Sequence, residues 1–389
     1  MLKSERFWEY VIVIGLVALL GLLGTLLLIK PFLEQRLTYS IVTPMGQQED
    51  LCTARVVEII DQGATETSSG VAIPYQRLRL RIENGPLAGQ EVEIEEGTIH
   101  ITTQEALYRP GDRVYLVRVV TSEAETFYIR DLVRLTPLLW IAGIFISLVL
   151  LIGGLRGLRS LGGMVLSLVV IFAFIVPQIL AGRDPILVTL IGAIMLLTAS
   201  NYLIYGWNSK AHAALAGMTL SLVITAVLAW LFTGWSGLTG LTSEESAFLV
   251  MEVGGGANLK GLLFGGMVIG ALGVLDDICV GQSSAIFELV QANRDLGWQA
   301  LFRHSLTIGR DHAAASVNTL LLAYAGTSLP LLLLFALYQE PLWLRLNSEP
   351  VAEEIVRTLV GSMGLLLAVP ITGLLASLWA SWQTRRRHS

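Results

Sequence analysis

The chain has 389 residues, 53% of them hydrophobic and only 15% charged, with a mean hydropathy of +0.65. Soluble domains carry about 25% charged residues, so most of this chain reads as lipid-embedded, with room for several spans and one modest soluble domain. A net charge of −5 gives no support to a nucleic-acid binder, and two distant cysteines, Cys52 and Cys279, argue against a disulfide framework.

In chain order, the first apolar run covers residues 8–29, follows Lys3 and Arg6, and stops at Lys30-Pro31. It is about 22 residues long and lacks a small-x-small cleavage site, so it reads as a retained signal anchor. Residues 37–136 differ in kind: they hold 15 acids and 9 basic residues, a net of −6 that accounts for the acidic balance of the whole. Residues 77–82 (RLRLRI) and 90–95 (QEVEIE) alternate with the period of half-buried strands, separated by a turn at Asn84-Gly85-Pro86. Pro110-Gly111-Asp112 introduces a strand over 113–120, and 127–135 reads as the last strand before the membrane. Such short strands predict a small closed or nearly closed barrel of the OB type. Its acidic face and few aromatics argue against nucleic acid, leaving an adaptor or lid outside the membrane, or a plain folding spacer.

Seven further runs of spanning length follow at 137–154, 161–181, 185–205, 211–232, 259–280, 313–338 and 355–382. The expected fold is an α-helical polytopic membrane protein of about eight transmembrane helices with an inserted small all-β, OB-like extracytoplasmic domain. Its parts are an anchor over 1–36, the β-domain over 37–136 and a seven-helix domain over 137–389. With the N-terminus in the cytoplasm, eleven Lys or Arg residues fall in inner segments and three (Arg183, Lys260, Arg345) in short outer loops. That bias places both termini in the cytoplasm and the β-domain outside.

Within the sixth run stand two adjacent acids, Asp276 and Asp277. Insertion of an Asp at a helix centre costs about 3 kcal/mol, so the pair costs roughly 6, while each Leu, Ile or Phe returns about 0.3–0.6. Partner helices, water or a bound solute must make them tolerable. The two side chains point about 100° apart; Asp277 shares a stripe with Gly281, Ser284 and Glu288, and Asp276 lies beside Cys279, Val280 and Ser283. Three readings stay open: a functional site, a structural ion pair with Arg310, or wet carboxylates about 26 Å along the helix at its inner rim. Arg310-Asp311-His312 opens the seventh run, and Asp311, Ala315, Asn318 and Leu322 share one face of it. That polar stripe suits a water-lined or helix–helix face, with a rim ion pair and an interhelical Asn as the plainer readings. Gly254-Gly255-Gly256 before the sixth run fits a flexible loop or a re-entrant break, and Gly261-x-x-x-Gly265 and Gly266-x-x-x-Gly270 permit close helix approach. Pro177 and Pro370 are expected to kink the third and eighth runs.

No phosphate-cradling Gly-rich loop with Lys, no His-Glu-x-x-His and no Gly-x-Ser-x-Gly elbow occurs, and the five histidines have no zinc spacing. Direct ATP drive, zinc chemistry and a serine hydrolase are set aside; no cofactor, metal or catalytic residue is expected.

The run GLLFGGMVIGALGVLDDI (261–278), then Phe287-Glu288-Leu289, Ile308-Gly309-Arg310-Asp311, the stretch Asn318 to Gly326 and Ser328-Leu329-Pro330, resembles the YibE/F family of multi-pass bacterial membrane proteins. The ordered set with Ile-Gly-Arg-Asp and Asn-Thr-Leu carries the resemblance more than the glycines do. Asp277, where a small apolar residue is expected, and His312 depart from the pattern. The resemblance implies a bacterial cytoplasmic membrane protein of transport-like character and names no solute. The leading expectation is a secondary transporter or permease in which Asp276, Asp277, Glu288, Arg310, Asp311 and Asn318 line a proton- or cation-linked pathway for a small solute or ion. A non-transporting assembly component, whose outer β-domain recruits another envelope or membrane protein, is the alternative. A metal-dependent intramembrane enzyme using Asp276, Asp277, Glu288 and Asp311 ranks third. The bilayer is an expected partner, and nucleic acid is not one.

Overall fold

The structure is a computed structural model that describes residues 39–42, 48–66, 72–97, 107–120, 125–253, 256–337 and 341–386. The expected anchor at 8–29 and the glycines Gly254 and Gly255 lie outside the described residues. The chain falls into two compact units, residues 1–157 and 158–389.

The first unit contains a six-stranded antiparallel sheet: β1 (Tyr39–Val42), β2 (Gln48–Glu66), β3 (Ala72–Ile82), β4 (Glu91–Glu96), β5 (Arg113–Val120) and β6 (Glu125–Leu132). The order is β4-β3-β2-β5-β6, with β1 also paired to β2. The 19-residue β2 is the spine. Register shifts at Val56/Glu58 and Ile59/Asp61 bend it, as bulges do, so that one strand pairs with β3 on one side and β5 on the other. The sheet curls into a half-barrel whose edge strands β4 and β6 approach one another. Leu78, Leu80, Ile94, Val114, Leu116 and Ile129 fill its inside. Alternation dictates the outer face. The register sets Arg77, Arg79 and Arg81 opposite Glu95, Glu93 and Glu91, and the arginines bridge to Glu93 (3.0 and 3.1 Å) and Glu91 (2.7 Å), with Glu58 also bound to Arg79. The turn after β3 is locked where Asn84 Oδ1 accepts from the Thr53 amide at 2.6 Å.

Helix α1 (Leu135–Val170) follows at once, so the membrane segment begins where a strand was expected to end. Its backbone is not helical throughout: Gly154 takes φ 54°, ψ −133°. Gly157 lies so near the Val149 carbonyl that no Cβ would fit. Non-helical backbone at Gly154 interrupts the apolar stretch Leu135–Leu180 where the expected run at 137–154 ends, so the two expected runs lie on either side of the break. A π-helical turn, Ile171–Ile175, precedes α2 (Val176–Leu180). Pro177 offers no amide to the preceding turn, and the wider spacing accommodates that loss.

The second unit continues with α3 (Pro185–Tyr205), α4 (Ser209–Trp235), α5 (Glu244–Glu252), α6 (Leu259–Ala292), α7 (Trp298–Thr327), α8 (Leu329–Leu337), α9 (Leu342–Leu346) and α10 (Glu349–Arg386). Starts are written locally. Asp184, Asn208 and Asn258 accept from the amides of Ile186, Ala211 and Gly261, and Ser243 and Ser246 form a capping box before α5. Five helices among the described residues are long and apolar enough to cross a membrane, six if the α7–α8 pair, bent by 63°, is one span. The outward faces carry large apolar side chains such as Val227, Trp230, Leu333 and Leu366, which suits lipid rather than water. α6 and α10 form the centre: 61% and 56% of their apolar windows are buried, against 39% for α4 and 33% for α3.

Burial pushes the Glu83 carboxyl up, but hydrogen bonds from Arg55 (2.8 Å) and Arg113 (2.6 Å) overcome it and hold it below the usual carboxylate range. A depressed value in the folded state stabilises above the unfolded value of about 4.3 and is lost as pH falls through the folded one. Glu83→Gln is therefore expected to cost about 1 kcal/mol near neutral pH. Amide-exchange protection of β2 and β5 in the full chain should fall less steeply with acidification in this variant than in the native protein.

Candidate functional site

α6 runs unbroken through Asp276 and Asp277 to Ala292, so the acids sit inside a helix and not at a loop edge. Asp276 is half-buried and Asp277 exposed. Asp277 Oδ2 lies 3.4 Å from His312 Nε2 on α7, with side chains 74% and 40% exposed. One turn further along α6, Gly281 leaves room for the ring: its Cβ, if present, would stand 3.7 Å from His312 Cε1 and Nδ1. A contact this wet contributes little to stability, about 0–1 kcal/mol; what it does is join α6 to α7. Among the described residues Asp276 makes no ion pair, while Tyr205 at the end of α3 lies in the field of both carboxylates.

The other expected residues are placed apart. Arg310 and Asp311 are exposed on α7, while their neighbour Gly309 is buried against Gln282 and Val369. Among the described residues no ion pair joins Arg310 to Asp276 or Asp277; His312, two residues on, takes that place. Asn318 is exposed on the outward face of α7. Glu288 continues the Asp277 stripe about 16 Å further along α6 and is exposed. The glycine spacings also divide their work: Gly265 meets Thr189 of α3, and Gly270 meets the Tyr324 hydroxyl of α7.

Beside the acids runs a buried polar seam. Thr372 of α10 donates to Cys279 Sγ at 3.1 Å, and Ser283 donates to the Lys210 carbonyl at 2.8 Å. Gln282, 2% exposed, reaches into the backbone ladder of α7. In the orientation that satisfies both ends, its nitrogen donates to Ser305 Oγ (2.8 Å) and the Ser305 carbonyl (3.2 Å), and its oxygen accepts from the Gly309 amide (3.2 Å). A side chain at 309 would occupy the space of that amide. Near the α3–α4 turn, Tyr202 OH lies 2.7 Å from His212 Nδ1, Trp207 stacks on Tyr202 at 4.4 Å, and His212 stacks on Trp379 of α10 at 5.9 Å.

A second charged group stands at the head of α10. Glu353 is 7% exposed, accepts from Thr242 Oγ1 at 2.6 Å and pairs with Arg357, which lies 3.5 Å from Glu354. Two cavities adjoin it. One, of about 280 Å³, is lined by apolar residues of α7, α8 and α10 including Tyr324, Ala325 and Ile355; the other, of about 460 Å³, lies against α5 and the head of α6. Ser328, Leu331 and Glu354 border both. Sequence reasoning placed the last span at 355–382 and so left Glu353 and Glu354 in a loop; the Glu353-x-x-x-Arg357 spacing was the signal that α10 starts earlier.

Comparison with family models matches residues 141–382 to the family described as YibE/F-like protein. The match covers the helical part of the chain and more than half of its length, and the chain belongs to this family. With the apolar helices, membership makes it a multi-pass membrane protein. Neither curated proteins nor solved structures provide a match.

Gly309→Val should expel the Gln282 amide from its seat and lower stability by about 1–3 kcal/mol, the usual range for overpacking. Gly266→Ala, where the added methyl meets nothing within 4 Å, should leave thermal unfolding in the same detergent unchanged.

Proposed function

We propose that this YibE/F-like protein is a secondary transporter of the bacterial cytoplasmic membrane, and not an enzyme, in which protonation of carboxylates on α6 is coupled to movement of a small solute or ion. The observation that carries the reading is the position of Asp276. It is a half-buried acid on the most buried helix, with a second acid beside it that reaches His312 on the neighbouring helix. Membrane-embedded ionisable groups are costly to insert and mark proton relays and solute paths. A carboxylate partly removed from water beside a like charge can take up and release a proton. An exchange between Asp277 and His312 changes what ties α6 to α7, which gives protonation a mechanical consequence.

In this reading Asp276, Asp277 and His312 form the coupling group. Glu288, Arg310, Asp311 and Asn318 form polar stripes leading from it along α6 and α7. The basic residues of the short loops support cytoplasmic termini. In this reading the β-unit faces outward, and its half-barrel, with edge strands β4 and β6 adjacent, supports an OB-type fold for it. An adaptor for another envelope protein suits that sidedness; its outer Arg–Glu ladder offers nothing to nucleic acid.

The test is reconstitution of the full chain in vesicles with an imposed pH gradient and a panel of monovalent cations, divalent cations and small amines. Native protein should accumulate at least one of them in response to the gradient. Asp276→Asn, inserted to the same level, should lose at least tenfold in initial rate, and Asp277→Asn should shift the pH dependence. Equal gradient-driven uptake by all three proteins would overturn the reading.

A further inference from the structure

We propose that the cavity behind the α7–α8 bend binds a monovalent organic cation with a compact apolar body, its ammonium group held by Glu354. This extends the transporter reading by naming a class of solute. It stands on a part of the helical unit separate from the α6 acids.

The argument begins with charge. Glu353, Glu354 and Arg357 carry one negative charge in excess. Glu353 is fully engaged, one oxygen with Arg357 and the other with the Thr242 hydroxyl. Glu354 has one oxygen 3.5 Å from Arg357, and its other oxygen, Oε2, is buried with no hydrogen-bond partner. Arg345 does not supply the missing charge: its guanidinium donates to the Phe335 carbonyl, and among the described residues it forms no ion pair with Glu354. A buried carboxylate oxygen left unpaired costs about 1–3 kcal/mol or more, and a cation bound beside this carboxylate, whose side chain is 26% exposed, lowers that cost.

The surroundings select the kind of cation. Leu321, Leu332, Val351, Ile355 and Leu359 wall the 280 Å³ cavity, and Tyr324 also lines it. A metal ion needs several oxygen ligands, and among the described residues no group of three or more acids, histidines or cysteines is placed to hold one. One carboxylate, one aromatic ring and aliphatic walls suit an ammonium on an apolar body, since the ring attracts the cation and the walls cover the rest. Glu354 and Ser328 also border the 460 Å³ cavity. Thr242, Ser243, Glu245 and Ser246 line that second space, which makes it a polar vestibule through which such a solute reaches the carboxylate. Ser328 is where α7 breaks into α8 with a bend of 63°. Broken helices beside a cavity are a recurrent arrangement for binding and releasing solutes, and movement at this bend alters both cavities together.

The experiment is equilibrium dialysis of the full-length protein in detergent with labelled cyclohexylammonium. Cyclohexanol, which has the same body without charge, and cyclohexanecarboxylate, with the charge reversed, serve as comparisons. Saturable binding of the ammonium, at least tenfold tighter than of either comparison, is expected. Glu354→Gln should weaken it at least tenfold. Ala325→Leu, which fills the cavity and leaves the carboxylate in place, should do the same and serves as the deciding variant if Glu354→Gln does not fold. Equal affinity for cyclohexylammonium and cyclohexanol, or undiminished binding in Glu354→Gln or Ala325→Leu, would overturn the proposal. Binding is read without flux, so its failure leaves the α6 coupling group untouched, and intact binding with no gradient-driven uptake counts against the coupling group alone.

Discussion

Close approach of helices through glycine sets the terms for the helical unit. At five contacts over four helix pairs a glycine on one helix faces a polar side chain on another: Gly217 meets Thr372, Gly364 meets Thr225, Gly265 meets Thr189, Gly373 meets Ser305, and Gly309 meets Gln282. In lipid there is no hydrophobic gain from bringing helices together, so packing and interhelical polar contacts must do it. Glycine permits the backbones to approach. The facing hydroxyl or amide then has little choice but to bond to backbone or to another buried polar group, as Thr225 does to Ser221 and Gln282 to Ser305. A larger residue at any of these glycines would separate the helices and strand the polar group opposite.

Because α4, α6, α7 and α10 are drawn together in this way, α6 becomes an axis with charged groups at two levels. Leu263 near its start borders the cavity that Glu353 and Glu354 also line. Asp276 lies 13 residues further on, about 20 Å along the helix. α7 touches both levels, through Tyr324 and Ser328 at the first and His312 at the second. It is also broken at Ser328, on the cavity side, and gripped by Gln282 at Gly309, on the acid side. α7 is thus gripped within its first half and bent at its C-terminal end.

Much of this was legible in the sequence where a local rule governs. The alternating run at 77–82 names β3 and its outward arginines, and the strand over 113–120 matches β5 to the residue. The apolar runs at 185–205 and 211–232 mark α3 and α4 because length and hydropathy are local properties. What escaped depended on neighbours distant in sequence. Nothing around Gln282 announces that it will enter the ladder of α7, because its partners Ser305 and Gly309 belong to another helix. The acids Glu353 and Glu354 looked like loop residues because the apolar pattern begins after them, while the helix itself begins at Glu349. His312 and Asp277 are both departures from the family pattern, and the structure brings those two departures into contact. For Asn318, identity suggested an inward polar stripe, yet the inward face of α7 is set by Leu301, Ser305, Gly309, Ala313 and Leu320, and Asn318 falls outside it.

The central claim is that neighbouring helices shelter Asp276 while its neighbour Asp277 stays open at the seam with α7. Single cysteines at 276 and at 277, in a chain whose Cys52 and Cys279 have been replaced, test this directly through their rates of reaction with a bulky, charged thiol reagent in sealed vesicles of known sidedness. The account requires fast modification at 277 and a rate at least tenfold slower at 276. Equal, rapid modification at both positions would contradict it.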